Sequence, residues 1–119
     1  FWEWPGGHID PEDKTVAHGA ARELQEELNL VCNPGELMYL GYQEVQRPLV
    51  EDNTKIAVIY RHFYLATSWK NNPRINPNPH NGILEHDDWR WATADEINSI
   101  DNTEISDYLI QQALKMVEV

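Results

Sequence analysis

The spacing of apolar residues changes several times along this chain, and each change marks an element. Ala17, Ala20, Ala21, Leu24 and Leu28 recur at helical spacing and predict a helix capped by Thr15 and running to about Leu28. Cys32-Asn33-Pro34-Gly35 is a clear break. From Glu36 to Gln46, Leu37, Tyr39 and Gly41 alternate with Met38, Leu40 and Tyr42, which predicts a strand. Arg47 to Thr54 reads as a polar connection containing Pro48 and Glu51-Asp52-Asn53. Lys55 to Thr67 carries the strongest strand signal. Ile56, Val58, Tyr60, His62 and Tyr64 share one face, and Ala57, Ile59, Arg61, Phe63 and Leu65 the other. Apolar character on both faces predicts a central strand covered on both sides. Trp69 to Glu85 holds Pro73, Pro77 and Pro79 and reads as a long loop. Asp88-Trp89-Arg90-Trp91 predicts a short strand, and Thr93-Ala94-Asp95-Glu96 is a capping box opening a short helix. A last helix, from about Thr103 to Val117, aligns Ile105, Leu109, Ile110, Ala113, Leu114 and Val117.

Strands and helices interleave without repeats, so the fold class is α/β (α+β), in a single domain spanning residues 1–119. Nine basic against 20 acidic residues give a net charge of −11. That balance argues against binding to a nucleic-acid backbone or an anionic membrane. It leaves room for a small phosphate-bearing substrate, because bound divalent ions invert the local field. Cys32 is the one cysteine, which excludes a disulfide framework and a cysteine-rich zinc site. With neither a spanning apolar run nor a signal peptide in view, a cytoplasmic location is the default expectation.

The chemistry concentrates on the first helix. Glu23, Glu26 and Glu27 fall on one arc at about 100° per residue, apart from the apolar stripe. Gathered carboxylates repel one another unless a cation sits on them, and hard divalent cations prefer oxygen. Pro5-Gly6-Gly7 lies ahead of that helix, and a glycine turn brings backbone carbonyls close without an intervening side chain. The combination reads as a magnesium platform. Glu85-His86-Asp87-Asp88 forms a second acidic cluster, just before the Trp-rich segment.

Together these residues resemble the Nudix box, G-x5-E-x7-R-E-U-x-E-E-x-G-U, with U aliphatic. Arg22-Glu23-Leu24-Gln25-Glu26-Glu27-Leu28-Asn29-Leu30 matches its second half except at the final glycine, and Pro5-Gly6-Gly7 matches its opening turn. The resemblance implies an α/β/α sandwich with a mixed central sheet and hydrolysis of nucleoside diphosphates linked to another group. It implies Mg2+, or Mn2+ in its place, held by Gly7, Glu23, Glu26 and Glu27, with Arg22 orienting the carboxylates. The proton acceptor is then Glu27, Glu26 or a member of the second cluster, where Glu85 has the longest reach. Tyr42 and Trp69 are candidates to stack on a nucleobase.

Two positions depart from the pattern. Asn29 replaces the glycine, a mild change because Asn tolerates a left-handed helix terminus. Counting back from Arg22, the first box Glu falls on Lys14, and the loop from Gly7 is one residue too long. Glu12 or Asp13 supplies the carboxylate if the extra residue bulges out before Thr15. Family members also place strands ahead of the glycine turn, and only residues 1–4 stand there. The domain is therefore expected to lack its N-terminal strand or strands, or to complete its sheet with a partner chain as a homodimer. By elimination of the ADP-ribose, NADH and coenzyme-A signatures, the expected activity is that of a nucleoside triphosphate pyrophosphohydrolase. The alternative, suggested by Lys14, the stretched loop and the missing upstream strands, is a Nudix-fold module that binds a nucleotide without cleaving it.

Overall fold

A computed structural model of the chain describes residues 4–84, 86–99 and 107–117. Helix α1 spans Val16–Leu28. Thr15 caps it in an extended conformation, its side chain accepting the His18 N–H at 3.2 Å. Asn29 ends it at φ 63°, in the left-handed region, and donates its N–H to the Gln25 carbonyl at 2.9 Å. The break at Asn33 is a single 3-10 turn, Pro34–Glu36, in which the Asn33 side chain accepts the Gly35 N–H. Strands β1 (Met38–Pro48) and β2 (Ile56–Leu65) follow as an antiparallel hairpin, with Tyr42 opposite His62 and Val45 opposite Ile59.

The register shifts between Tyr39 and Gly41. Gly41 sits there at φ 140°, and a Cβ on it would stand 3.1 Å from Leu109 Cδ2. Glycine is required on both counts, for the backbone conformation and for the close approach of the last helix. That helix, α3 (Asp107–Val117), packs on β1 through Leu109 and Ile110, which are buried, while α1 packs against β2. Leu109 is 2% exposed, so its side chain is worth about 2–3 kcal/mol of burial. Ala21, Leu30 and Cys32 complete the buried apolar set among the described residues. Burial pushes the Cys32 thiol up, which suits an inert core side chain.

The elements match the sequence pattern closely, and three differences stand out among the described residues. β1 starts two residues late, because Glu36 belongs to the 3-10 turn, and it runs on to Pro48. Among the described residues the two-sided cover expected for β2 is not seen. Ala57, Ile59 and Phe63 are half-buried, but Ile56, Val58 and Tyr60 on the opposite face are exposed. On that face Tyr42 lies against Tyr60 and His62, so these rings shield one another in part, while Ile56 and Val58 stay exposed. Asp88-Trp89-Arg90-Trp91 joins no ladder among the described residues; Trp91 instead stacks on Trp69, with ring centroids 5.4 Å apart. The last helix is described from Asp107, and Ile105 and residues 1–3, ahead of the glycine turn, lie outside the described residues. The capping box is present: Thr93 Oγ1 accepts the Glu96 N–H and Glu96 Oε1 the Thr93 N–H, both at 3.2 Å, opening α2 (Ala94–Ser99).

The long loop after β2 is tied to α1. Lys70 bridges Val31 by two backbone bonds. Arg74 N–H donates to the Leu28 carbonyl at 2.9 Å, and Asn76 N–H donates to the Glu27 carbonyl at 3.1 Å. Asn76 Nδ2 adds a bond to the Gln25 carbonyl. The Glu27 and Leu28 carbonyls belong to the last helical turn and have no partner within the helix, while the Gln25 carbonyl also accepts the Asn29 N–H. The loop satisfies them and becomes a wall beside the acidic face of α1.

Candidate active site

A cleft of about 250 Å3 opens between that wall, the glycine turn and α1. Gly6, Gly7, Asp10, Glu23, Glu26 and Glu27 form its acidic side, with Asn76, Asn78, His80 and His86 opposite. Three helical carboxylates enter it because positions 23, 26 and 27 share one face of α1. The glycine turn lies against them. Gly6 N–H donates to Glu27 Oε2 at 2.9 Å, and a Cβ on Gly7 would fall 2.6 Å from the Glu23 carboxylate. Only glycine leaves room for that carboxylate.

Arg22 binds the cluster together. Its Nε donates to Asp13 Oδ1 at 3.1 Å, its NH2 to Asp13 Oδ2 at 3.1 Å and to the His8 carbonyl at 2.9 Å. Its NH1 reaches Glu26 at 2.9 Å, Glu23 at 3.1 Å and Asp10 at 3.5 Å. An isolated surface ion pair contributes little, but this guanidinium is shared among carboxylates that would otherwise repel one another. At the departure around Lys14, Asp13 is the carboxylate that meets Arg22. The extra residue is absorbed by a turn in which Asp13 N–H donates to the Asp10 carbonyl, and Lys14 points to solvent. The Asp13 carboxylate is 7% exposed and held below its usual range by its bonds to Arg22 and to the Asp10 N–H.

The other two shifts run the opposite way. Desolvation raises both Glu23 and Glu27, despite the Arg22 cation beside the first and the Gly6 N–H and His86 imidazole beside the second. His86 Nε2 stands 3.6 Å from Glu27 Oε1.

A family model, the NUDIX domain, matches residues 1–113. The chain belongs to the Nudix family. Nudix proteins hydrolyse nucleoside diphosphate derivatives at the pyrophosphate bond. Among solved structures, the solution structure of the E. coli ORF135 protein is similar, with 18% identity and a TM-score of 0.64 over 97% of this chain and 69% of that one. At that identity the likeness speaks for the fold, a mixed helix and antiparallel-strand Nudix architecture. No curated protein matches the chain.

A Nudix centre takes divalent metal, and the carboxylates lining the cleft are of the donor chemistry such an ion takes. The donor set is all oxygen, as a hard cation requires, and the space above Gly7 is kept for a carboxylate. Among the described residues no three acidic or imidazole groups yet surround a common point tightly enough for an ion. Arg22 NH1 stands between Glu23 and Glu26 at hydrogen-bond lengths, well beyond the roughly 2.0–2.1 Å of a Mg–O bond.

Of the residues singled out in the sequence, Gly7, Arg22, Glu23, Glu26 and Glu27 meet in the cleft. Glu85 lies outside the described residues, next to His86, which lines the cleft. Tyr42 and Trp69 line no part of it: Tyr42 is on the open sheet face and Trp69 stacks on Trp91. Sequence reasoning passed over Asp10, Asn76 and Asn78. Counting six residues forward from Gly7, instead of back from Arg22, is the signal that finds Asp13.

Proposed function

We propose that this cleft hydrolyses the diphosphate linkage of a nucleoside diphosphate derivative with Mg2+, and that a nucleoside triphosphate, cleaved to the monophosphate and pyrophosphate, is the leading substrate class. The observation that carries the reading is Glu27, a carboxylate 14% exposed and fixed on the cleft wall by the Gly6 N–H, with Glu23 and Glu26 beside it. Bound at Glu23, Glu26, Glu27 and the Gly7 carbonyl, Mg2+ or Mn2+ supplies charge neutralisation of the phosphate oxygens and a more acidic water. Arg22 holds Glu23 and Glu26 in orientation. The proton of the attacking water is assigned to Glu27 first, because it is a desolvated carboxylate fixed on the cleft wall by the Gly6 N–H, then to Glu26. Glu85 is retained as a third candidate. His86, beside Glu27 Oε1, steadies the anion. Any stacking by Trp69 or Tyr42 concerns the part of the substrate that projects beyond the cleft.

The reading as a binding module without turnover drew on Lys14, the stretched loop and the missing upstream strands; the contact of Asp13 with Arg22 weighs against the first of these. The decisive experiment incubates the chain with Mg2+ and a panel of nucleotides, with Glu27→Gln alongside. Turnover is expected to fall by about 10²-fold or more in the variant. Its stability is expected to rise by roughly 0.5–2 kcal/mol, because a desolvated charge is removed from a site built for function. Equal turnover in the variant and the parent would remove Glu27 from the chemistry and the reading with it.

A further inference from the structure

We propose that the nucleoside of the substrate lies in a second hollow beside the acidic cleft, with its base recognised by the side-chain amide of Gln25. The inference rests on the reading of the cleft as a site of diphosphate hydrolysis, and deepens it. The hollow measures about 360 Å3 and is lined by Gln25, Glu26, Asn29, Asn76, Pro77 and Pro79. Glu26, Asn76 and Pro79 line the cleft as well, so the two spaces share a border. A substrate held by its phosphates against Glu23, Glu26 and Glu27 has this hollow immediately next to it.

The chemistry changes across that border. The cleft gathers carboxylates and a guanidinium, whereas beyond Glu26 the hollow is lined by amides and prolines alone. A phosphate chain needs the charges. A nucleoside is neutral, with apolar faces and a polar edge, and such groups suit a small site that is apolar apart from a few hydrogen-bonding side chains. Two of the amides are already committed. Arg74 Nε donates to Asn76 Oδ1 at 3.1 Å and its NH2 to Asn29 Oδ1 at 3.5 Å. Asn76 Nδ2 donates to the Gln25 carbonyl at 3.2 Å and Asn29 Nδ2 to the Asn72 carbonyl at 3.4 Å. These bonds build the wall and fix both amides in it. Gln25 differs. Its carbonyl joins the wall, but its side-chain amide makes no hydrogen bond among the described residues. It stands exposed on α1, one residue before Glu26. An amide carries a donor and an acceptor side by side, the pattern that pairs with adjacent donor and acceptor groups on a base edge. The box pattern leaves residue 25 undefined, so that position can set base preference without altering the carboxylates beside it.

The test is calorimetric titration of the folded chain in Mg2+ with the α,β-methylene analogues of the common nucleoside triphosphates, which cannot be cleaved at that linkage. Methylenediphosphonate serves as the base-free ligand. The variants are Gln25→Ala and Gln25→Met; both residues are good helix formers, and Met keeps the length of the side chain while removing its amide. The analogue that the parent binds tightest is expected to bind about tenfold more weakly to each variant, with the preference among bases narrowed. Methylenediphosphonate affinity should stay unchanged. If both variants keep the parent's affinity and base preference, the proposal falls. It falls also if they weaken methylenediphosphonate as much as the analogues, since the effect then passes through the phosphate site. A parent that binds methylenediphosphonate as tightly as any analogue has no base subsite, which overturns the proposal outright. If the analogues behave as expected but no nucleotide is turned over, the hydrolase reading falls and the nucleoside subsite stands. If the parent binds no analogue, both fall together.

Discussion

Gly7 concentrates the logic of the site in one missing atom. Its Cβ would land 2.6 Å from Glu23 Cδ, the far end of a flexible side chain. Gly7→Ala should therefore fold and melt within about 1 kcal/mol of the parent, since the carboxylate swings aside at little cost. Its Mg2+ requirement should rise by about tenfold or more, because the displaced carboxylate is an expected metal ligand. A magnesium titration of activity with a parallel thermal melt separates the two effects, and an unchanged requirement would place Glu23 outside the metal site. At this scale the sequence was most legible where local periodicity dictates direction: Glu23, Glu26 and Glu27 had to share a face once residues 16–28 formed a helix. Asp10 and Asn76 were illegible because no period governs a turn or a loop that docks on residues about 50 positions away.

The elements show the same division. Helix ends were readable from their chemistry, Thr15 and Asn29 at α1 and the Thr93–Glu96 box at α2. The loop of residues 69–84 was readable only as a loop, since its hydrogen bonds to the end of α1 depend on the tertiary fold. The turn of residues 10–13 behaves as an extension of α1, locked to it by Asp13 and Arg22. Arg22 holds the Asp13 carboxyl below its usual 3.8, so the folded chain takes up that proton less readily than the unfolded chain. The stabilisation is complete above the unfolded value and is lost as the pH falls through the lowered one. Asp13→Asn should lower stability near neutral pH and flatten its acid limb below about pH 4. Denaturant unfolding at pH 7 and pH 3 measures this, and parallel curves for variant and parent would show that the clamp contributes nothing.

At the scale of the whole molecule, the pattern announced mixed helices and strands but overstated the enclosure of β2. An apolar alternation records that both faces of a strand resist water, without saying what covers them. Here aromatic neighbours do part of that work for Tyr42, Tyr60 and His62. Charge is the other property that belongs to no single element. Within the acidic wall one guanidinium faces Asp10, Asp13, Glu23 and Glu26, and the chain as a whole stands at −11. A nucleotide anion must therefore approach uphill, against a field of its own sign. Mobile ions flatten such a field over about 10 Å at 0.1 M. At sub-saturating Mg2+, where the carboxylates keep their own field, kcat/KM should rise by about two- to threefold between ~20 and ~200 mM monovalent salt, the reverse of a basic cleft. Falling values would mean that bound metal has already turned the approach attractive. The acidic cleft thus acts as an electrostatic gate: it slows uncomplexed polyanions at a distance, and the ionic strength of the medium sets how wide that gate stands.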